Sequence, residues 1–232
     1  MSEFIIISGG SSGIGKSLAE FFADREEKVL IIGRNKDSLE EIVNKHPNYI
    51  NYISGDITKE STLNKIVEFV RSGSHSIKYL IHAAAIIEPI EKIKNLTLDQ
   101  WNKIQETNVT APVFLTAKLA DKLSDSRVLF FNSNWGGEIA VENFSAYCVS
   151  KAALKMAVES LRIELPQIKI AMLNPGGVET KMLSEIRNTK LFDMSNWTIK
   201  SPSDIAQYSA WILDSTNDDD FVSEEWNLTL GK

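Results

Sequence analysis

Tyr147 and Lys151 stand four residues apart in the run Ser145-Ala-Tyr-Cys-Val-Ser-Lys-Ala-Ala-Leu154. On a helix, positions i and i+4 share a face, so this spacing sets a phenol beside an ammonium. A neighbouring cation favours the phenolate, and a tyrosine tuned in this way can pass a proton to or from an oxygen. A free tyrosine titrates near pH 10; work near neutrality asks for roughly 4 kcal/mol of preference for the phenolate. One positive charge about 4 Å away gives on the order of 4 kcal/mol at an effective dielectric near 20, before screening. No metal is needed for that shift, and a single cysteine, Cys148, excludes a cysteine-built zinc site. Cys148 lies about 100° around the helix from Tyr147 and reads as a small packing residue.

A partner for such a tyrosine is announced by Ser8-Gly-Gly-Ser-Ser-Gly-Ile-Gly15, a turn that follows the apolar run Phe4-Ile-Ile-Ile7. Gly9, Ser11, Ser12, Gly13, Ile14 and Gly15 would present main-chain N–H groups and a helix N-terminus to a pyrophosphate. The glycine spacing, Gly9 to Gly13 to Gly15, departs from the common Gly-x-Gly-x-x-Gly. About twenty residues on, the second strand ends in Gly33-Arg34-Asn35, where a carboxylate would serve a ribose. A guanidinium there would pair with a 2′-phosphate, which favours NADP(H) over NAD(H). The bland alternative is a solvated arginine, and Asp37 nearby could blunt its charge. After the third strand, Asp56 and Ile57 are placed to meet an adenine, or Asp56 caps the next helix.

The elements that must position these residues alternate along the chain. Strands are expected over Phe4 to Ser8, Lys28 to Ile32, Tyr49 to Ile53, Tyr79 to Ala83, Val128 to Asn132, Ile168 to Leu173 and Phe221 to Leu228. Helical patterns lie at about 14–24, 36–45, 59–71, 98–123, 144–164 and 203–213. Thr97 with Gln100 marks a capping box, and Ser203 after Pro202 marks the last start. This rhythm predicts one α/β domain over residues 1–232, a doubly wound parallel sheet of about seven strands with helices on both faces. Asp218 to Asp220 read as a solvated turn. The stretch from Thr180 to Trp197 mixes Met182, Leu183, Leu191, Phe192, Met194 and Trp197 with polar residues, which suits either a surface excursion or a lid at about 180–200.

Composition narrows the partners. With 25 Lys and Arg against 31 Asp and Glu, the net charge is −6 and no basic block offers a footprint for nucleic acid or an anionic membrane. No run is long enough to span a bilayer and the start has no signal-peptide pattern, so a cytoplasmic protein acting on a small molecule is expected. A lone cysteine suits a reducing compartment.

The ordered set of motifs resembles the short-chain dehydrogenase/reductase family over nearly the whole chain: Ser8 to Gly15, Asp56, His82-Ala-Ala-Ala85, Asn108, Ser133, Tyr147 with Lys151, and Asn174-Pro-Gly-Gly-Val-Glu-Thr180. The resemblance implies a Rossmann-type fold and a carbonyl reductase or alcohol dehydrogenase with a tetrad of Asn108, Ser133, Tyr147 and Lys151. It implies that Tyr147 moves the proton, Ser133 holds the substrate oxygen, Lys151 holds the nicotinamide ribose, and Asn108 keeps a water behind Lys151. Ala83 and Ala84 would line the adenosine ribose; Pro175, Gly176, Val178 and Thr180 would meet the nicotinamide end. It also implies a homo-oligomer, a dimer or tetramer.

Three departures stand out. His82-Ala-Ala-Ala85 replaces an Asn-Asn-Ala-Gly turn, and His82 reads as structural. The interval from Ser133 to Tyr147 is one residue longer than the commonest spacing. The ending Phe221-Val-Ser-Glu-Glu-Trp-Asn-Leu228 replaces a Gly-Gly close. The altered turn leaves open a second class, a non-catalytic cofactor-binding sensor or scaffold. The phrase Ala85-Ile-Ile-Glu-Pro-Ile90 is similar to sepiapterin and benzil reductases and hints at a small vicinal dicarbonyl or an aromatic ketone.

Overall fold

Strands and helices alternate in the computed structural model, which describes residues 3–73, 75–223 and 225–228. The strands are β1 (Glu3–Ser8), β2 (Lys28–Gly33), β3 (Ile50–Ser54), β4 (Ser76–His82), β5 (Arg127–Phe131), β6 (Lys169–Asn174), β7 (Gly177–Val178), β8 (Ile199–Lys200) and β9 (Glu225–Asn227). The helices are α1 (Gly13–Asp24), α2 (Lys36–Lys45), α3 (Glu60–Ser72), α4 (Leu98–Gln105), α5 (Ala111–Lys118), α6 (Asn134–Glu138), α7 (Ser145–Glu164), α8 (Lys181–Thr189), α9 (Pro202–Ser215) and α10 (Asp218–Ser223). Seven strands pair in parallel in the order β3-β2-β1-β4-β5-β6-β9, while β7 and β8 form a small separate pair.

Both faces of the sheet are buried, which is why its strands are nearly continuous in apolar residues. Successive side chains point opposite ways. Ile5 and Ile7 therefore pack with Leu18 and Phe22 of α1, Leu39 of α2 and Ile205 and Ile212 of α9. Phe4 and Ile6 pack with Ile66 of α3, Leu115 of α5 and Leu154 and Val158 of α7. Each such side chain contributes about 1.5–3 kcal/mol on burial. The strand order reverses between β1 and β4, and that opens a crevice at the carboxyl ends of the strands.

At the amino ends the charges are paired. The Tyr79 hydroxyl donates to Asp214 at 2.6 Å, Arg25 donates to the same carboxylate at 2.6 Å, and Lys78 reaches Glu27 at 2.6 Å. Arg127 at the start of β5 donates to the carbonyls of Leu213 and Thr216 and pairs with Asp218 at 2.7 Å.

The α/β domain and its sheet are as expected from sequence, and the local differences have local causes. The pattern at 98–123 is not one helix: a π-helical turn, Glu106–Thr110, separates α4 from α5, and a 3-10 turn follows at Ala120–Lys122. Pro112 has no N–H to give to the carbonyl of Asn108, so regular i→i−4 bonding is interrupted there. The expected strand Phe221 to Leu228 begins as α10, with only Glu225–Asn227 pairing with β6. Asn217 accepts from the Asp220 N–H at 2.9 Å, and three aspartates suit the positive end of a helix, so the acidic knot starts a helix instead of forming a solvated turn. The capping box at Thr97 is present. For α9 the cap is Ser201, reciprocated by Asp204, and not Ser203.

Candidate active site

The crevice is a cleft of about 970 Å³. Its cofactor end is shaped by glycine. Gly9 has φ +75°, and a Cβ there would stand 2.7 Å from the backbone nitrogen of Ala84. Gly13 has φ +53° and opens α1, with Thr180 Cγ2 3.2 Å from its Cβ position; a Cβ on Gly15 would lie 2.3 Å from the Gly9 carbonyl oxygen. Larger residues would close this turn. The N-cap Ser12 makes no side-chain capping bond and the first turn of α1 carries no acid, while Ser12, Gly13 and Ile14 line the cleft. An uncovered positive helix end behind a backbone that tolerates close approach fits a dinucleotide pyrophosphate.

Ser11, Arg34, Asp56, Ile57, Ala83, Ala84, Pro175, Gly176, Val178 and Thr180 line the same cleft, whereas Gly15 lies behind it. Arg34 is exposed at the end of β2. Asp56 does not cap α3, whose N-cap is Lys59. Its Oδ1 accepts from the Thr58 N–H at 3.0 Å and hydroxyl at 2.9 Å. Burial alone would raise its pKa, but the Thr58 bonds and the charges of Arg34 and Lys59 hold it below the usual carboxylate range.

Ser133, Tyr147 and Lys151 converge on the other half of the cleft. Ser133, two residues past β5, caps α6, accepting from the Gly136 N–H at 3.1 Å, and its hydroxyl stands close enough to the Tyr147 phenol to favour the phenolate. A Cβ on Gly136 would stand 2.7 Å from Tyr147 Cε1, so this glycine makes room for the ring. Lys151 Nζ sits 5.7 Å from the centre of the Tyr147 ring and donates to the Phe131 carbonyl at 3.1 Å. Between α6 and α7 the backbone is irregular, and Asn143 there has φ +70°.

The electrostatics differ from the sequence expectation. Burial drives Tyr147 up to about 12, only partly opposed by the neighbouring Ser133 hydroxyl, and drives Lys151 down to about 8. Desolvation penalises both charged forms, and here it outweighs the attraction inferred from spacing alone.

Asn108 lies behind the cleft in the π-helical turn, 1% exposed. Its amide is spent on the main chain of Ile86, accepting from N–H and donating to C=O at 2.8 Å each, and on the Ser150 hydroxyl at 3.0 Å. It therefore braces the segment that leaves β4, and no bond joins its side chain to Lys151. His82 is buried against Phe130, ring centres 4.4 Å apart. Its Nε2 meets Thr116 Oγ1 at 2.9 Å. The Thr116 hydroxyl donates to the Pro112 carbonyl, so Nε2 must be the donor to it. Burial lowers His82 to about 3; it is a neutral structural residue. Ala85 stays outside the left-handed region, so losing a glycine there costs no strain.

Several cleft residues were not singled out from sequence. Trp135, two positions past Ser133, contacts Phe144, Phe192 and Trp197 at ring separations of 5.2, 5.2 and 6.0 Å. Glu185 of α8 lines the cleft near Glu88; burial and that neighbouring carboxylate raise the Glu185 carboxyl. The one available signal was Trp135's place inside the Ser-x-x-Gly turn.

A family model described as short chain dehydrogenase matches residues 3–191. An uncharacterized oxidoreductase of Saccharomyces cerevisiae is 29% identical over 191 residues, covering 81% of this chain and 75% of the yeast protein. The crystal structure of that yeast protein superposes with a TM-score of 0.84 at 24% identity, over 98% of this chain and 95% of its own. A benzil reductase ((S)-benzoin forming) of Bacillus cereus is 26% identical over 208 residues, 84% of this chain and 83% of that protein. An alcohol dehydrogenase from the archaeon Thermococcus sibiricus, complexed with 5-hydroxy-NADP, has a TM-score of 0.81 at 19% identity, over 98% of this chain and 95% of its own. With a matched model that spans most of the sheet and takes in each motif from the glycine turn to Thr180, the chain belongs to the short-chain dehydrogenase family and is an NAD(P)-dependent oxidoreductase.

Proposed function

We propose that the chain reduces the carbonyl of a small, partly apolar substrate with NADP(H). The observation that carries this reading is the close approach of the Ser133 hydroxyl and the Tyr147 phenol beside Lys151, opposite a cleft end that holds Arg34. When bound, NADP(H) supplies the hydride. The Ser133 hydroxyl orients the carbonyl oxygen, and Tyr147 donates the proton to it. A phenol held near 12 is protonated at neutral pH, which suits the reductive direction. Lys151, held near 8, is mostly an ammonium at pH 7 and has donors beyond the one given to Phe131 for a ribose hydroxyl. With the Asn108 side chain spent on Ile86 and Ser150, a relay water would be held by main-chain carbonyls.

Arg34 favours the 2′-phosphate by charge-assisted bonding. The segment of α8 and the residues up to Trp197 acts as a lid, since Met182, Ile186, Phe192 and Met194 pack toward Tyr147, Phe144 and Ile87. Val149, Met156 and Ile163 recur every seventh residue on α7 and are 46, 68 and 80% exposed, with Phe114 of α5 55% exposed. This stripe is the expected contact of a homo-oligomer. The cytoplasm is the expected compartment; among the described residues no helix is long and apolar enough to cross a membrane.

The direct test is loss of NADPH absorbance with a panel of ketones, aldehydes and diketones. Turnover of at least one class is expected; an inert panel at high enzyme concentration would sink the reading.

A further inference from the structure

The wall beside Ser133 is made of aromatic rings brought from three separate segments. Trp135 comes from α6, Phe144 from the turn before α7, and Phe192 and Trp197 from the stretch after α8. The rings form one connected cluster: Trp135 meets Phe144 at an interplanar angle of 76°, Phe192 at 81° and Trp197 at 68°. Phe192 also touches Phe144 and Trp197, at 5.6 and 6.3 Å. Phe144 is 2% exposed and shares its apolar cluster with Tyr147. Trp135 and Trp197 are only half-buried, and both line the cleft together with Ser133 and Tyr147. Two large indoles on the wall of the same cleft offer much contact area and little hydrogen bonding.

We propose that Trp135 and Trp197, backed by Phe144 and Phe192, form an aryl subsite that receives a flat ring attached to the reacting carbonyl. Near-perpendicular contacts recur among these rings, and an aryl group entering beside them continues the same edge-to-face packing. A saturated ring of equal size fills the space without that geometry. Because Trp135 follows Ser133 by two residues while Phe192 and Trp197 follow α8, an aryl group would touch the catalytic turn and the lid at once. The subsite rests on the carbonyl-reductase reading and refines its substrate class.

Kinetics with acetophenone and cyclohexyl methyl ketone test the proposal in the intact protein and in Trp135→Leu and Trp197→Leu. The intact protein should favour the aryl ketone by tenfold or more in kcat/KM. Each variant should raise KM for the aryl ketone at least tenfold and for the cyclohexyl ketone by a clearly smaller factor, so that the aryl preference of the intact protein falls at least threefold. Equal handling of both ketones by the intact protein, or an unchanged preference in folded variants, would overturn the subsite. A variant that fails to fold is replaced by a measurement on the intact protein: saturable quenching of tryptophan fluorescence by acetophenone is expected, half-complete at a concentration at least tenfold below that needed for the cyclohexyl ketone. Quenching without turnover of either ketone would leave the subsite standing and count against the reductase reading; no quenching counts against the subsite.

Discussion

At the amino ends of β2, β4 and β5 the charged side chains are matched in ion pairs and the Nδ1 of His75 is the unpartnered exception among the described residues, whereas at the carboxyl ends buried asparagine groups are left without partners. Arg25, Lys78, Asp214, Arg127 and Asp218 all sit in ion pairs, and Tyr79 closes on Asp214. Beyond β5 and at the end of β6, the Oδ1 of Asn132 and both polar side-chain atoms of Asn174 lack a partner among the described residues. Lys151 and Tyr147, which line the same cleft as Asn132, are buried at the cost of their charged forms. One end of the same strands is arranged to hold the fold together. The other tolerates desolvated groups whose unmet bonds cost about 1–3 kcal/mol each, as expected where chemistry is done.

The sharpest way to break this contrast is to compare Tyr147→Phe with Asp214→Ala. Tyr147→Phe should lower kcat by about 10²–10⁴-fold with cofactor affinity and melting temperature kept, while Asp214→Ala should leave kcat within twofold. Similar damage to turnover in both variants would remove the division of labour. Within the cleft, Arg34→Asp should weaken NADPH by about 10–100-fold and NADH by far less, read by titrating the fluorescence of each reduced cofactor. Equal loss of both would mean that Arg34 does not read the phosphate.

For stability the roles reverse. Asp214→Ala strands the buried Tyr79 hydroxyl and should cost about 2–3 kcal/mol in urea unfolding, a loss that Tyr147→Phe should not show. The smallest effect separates the two ends by pH. His82 is held at about 3 against an ordinary 6.5, so the unfolded chain binds more protons between these values and stability falls as pH drops through that window. About 2 kcal/mol should be lost between pH 6.5 and 5, and His82→Gln should flatten that limb. Asp214, where burial is outweighed by the Tyr79 and Arg25 bonds, lies below the usual carboxylate range. Its contribution is present above that range and disappears only in more acid solution. An acid limb above pH 5 that persists in His82→Gln would assign the loss elsewhere.

Much of the cleft was legible because its parts are local. The glycine turn follows directly on β1, and the β/α rhythm appears in short apolar runs. The misreadings were also local but turned on single residues. Pro112 interrupts what periodicity presents as one long helix, and the Asn217 cap with the three aspartates converts an apparent final strand into α10. The aromatic wall was half visible. Phe192 and Trp197 marked their segment as too apolar for an ordinary loop, but Trp135 and Phe144 gave no hint that they would meet them.

By itself the sequence determined the alternation of strands and helices around a parallel sheet, the cradle at Gly9 to Gly15 and the placement of Tyr147 and Lys151 on one helix face. These follow from backbone geometry whose period is set within a few residues. Tertiary structure alone decided that Ser133 would reach Tyr147, that Asn108 would clamp Ile86, and that burial would push the phenol up and the ammonium down. The physical reason is that solvation and contact depend on which distant segments pack around a group, and no local spacing records that.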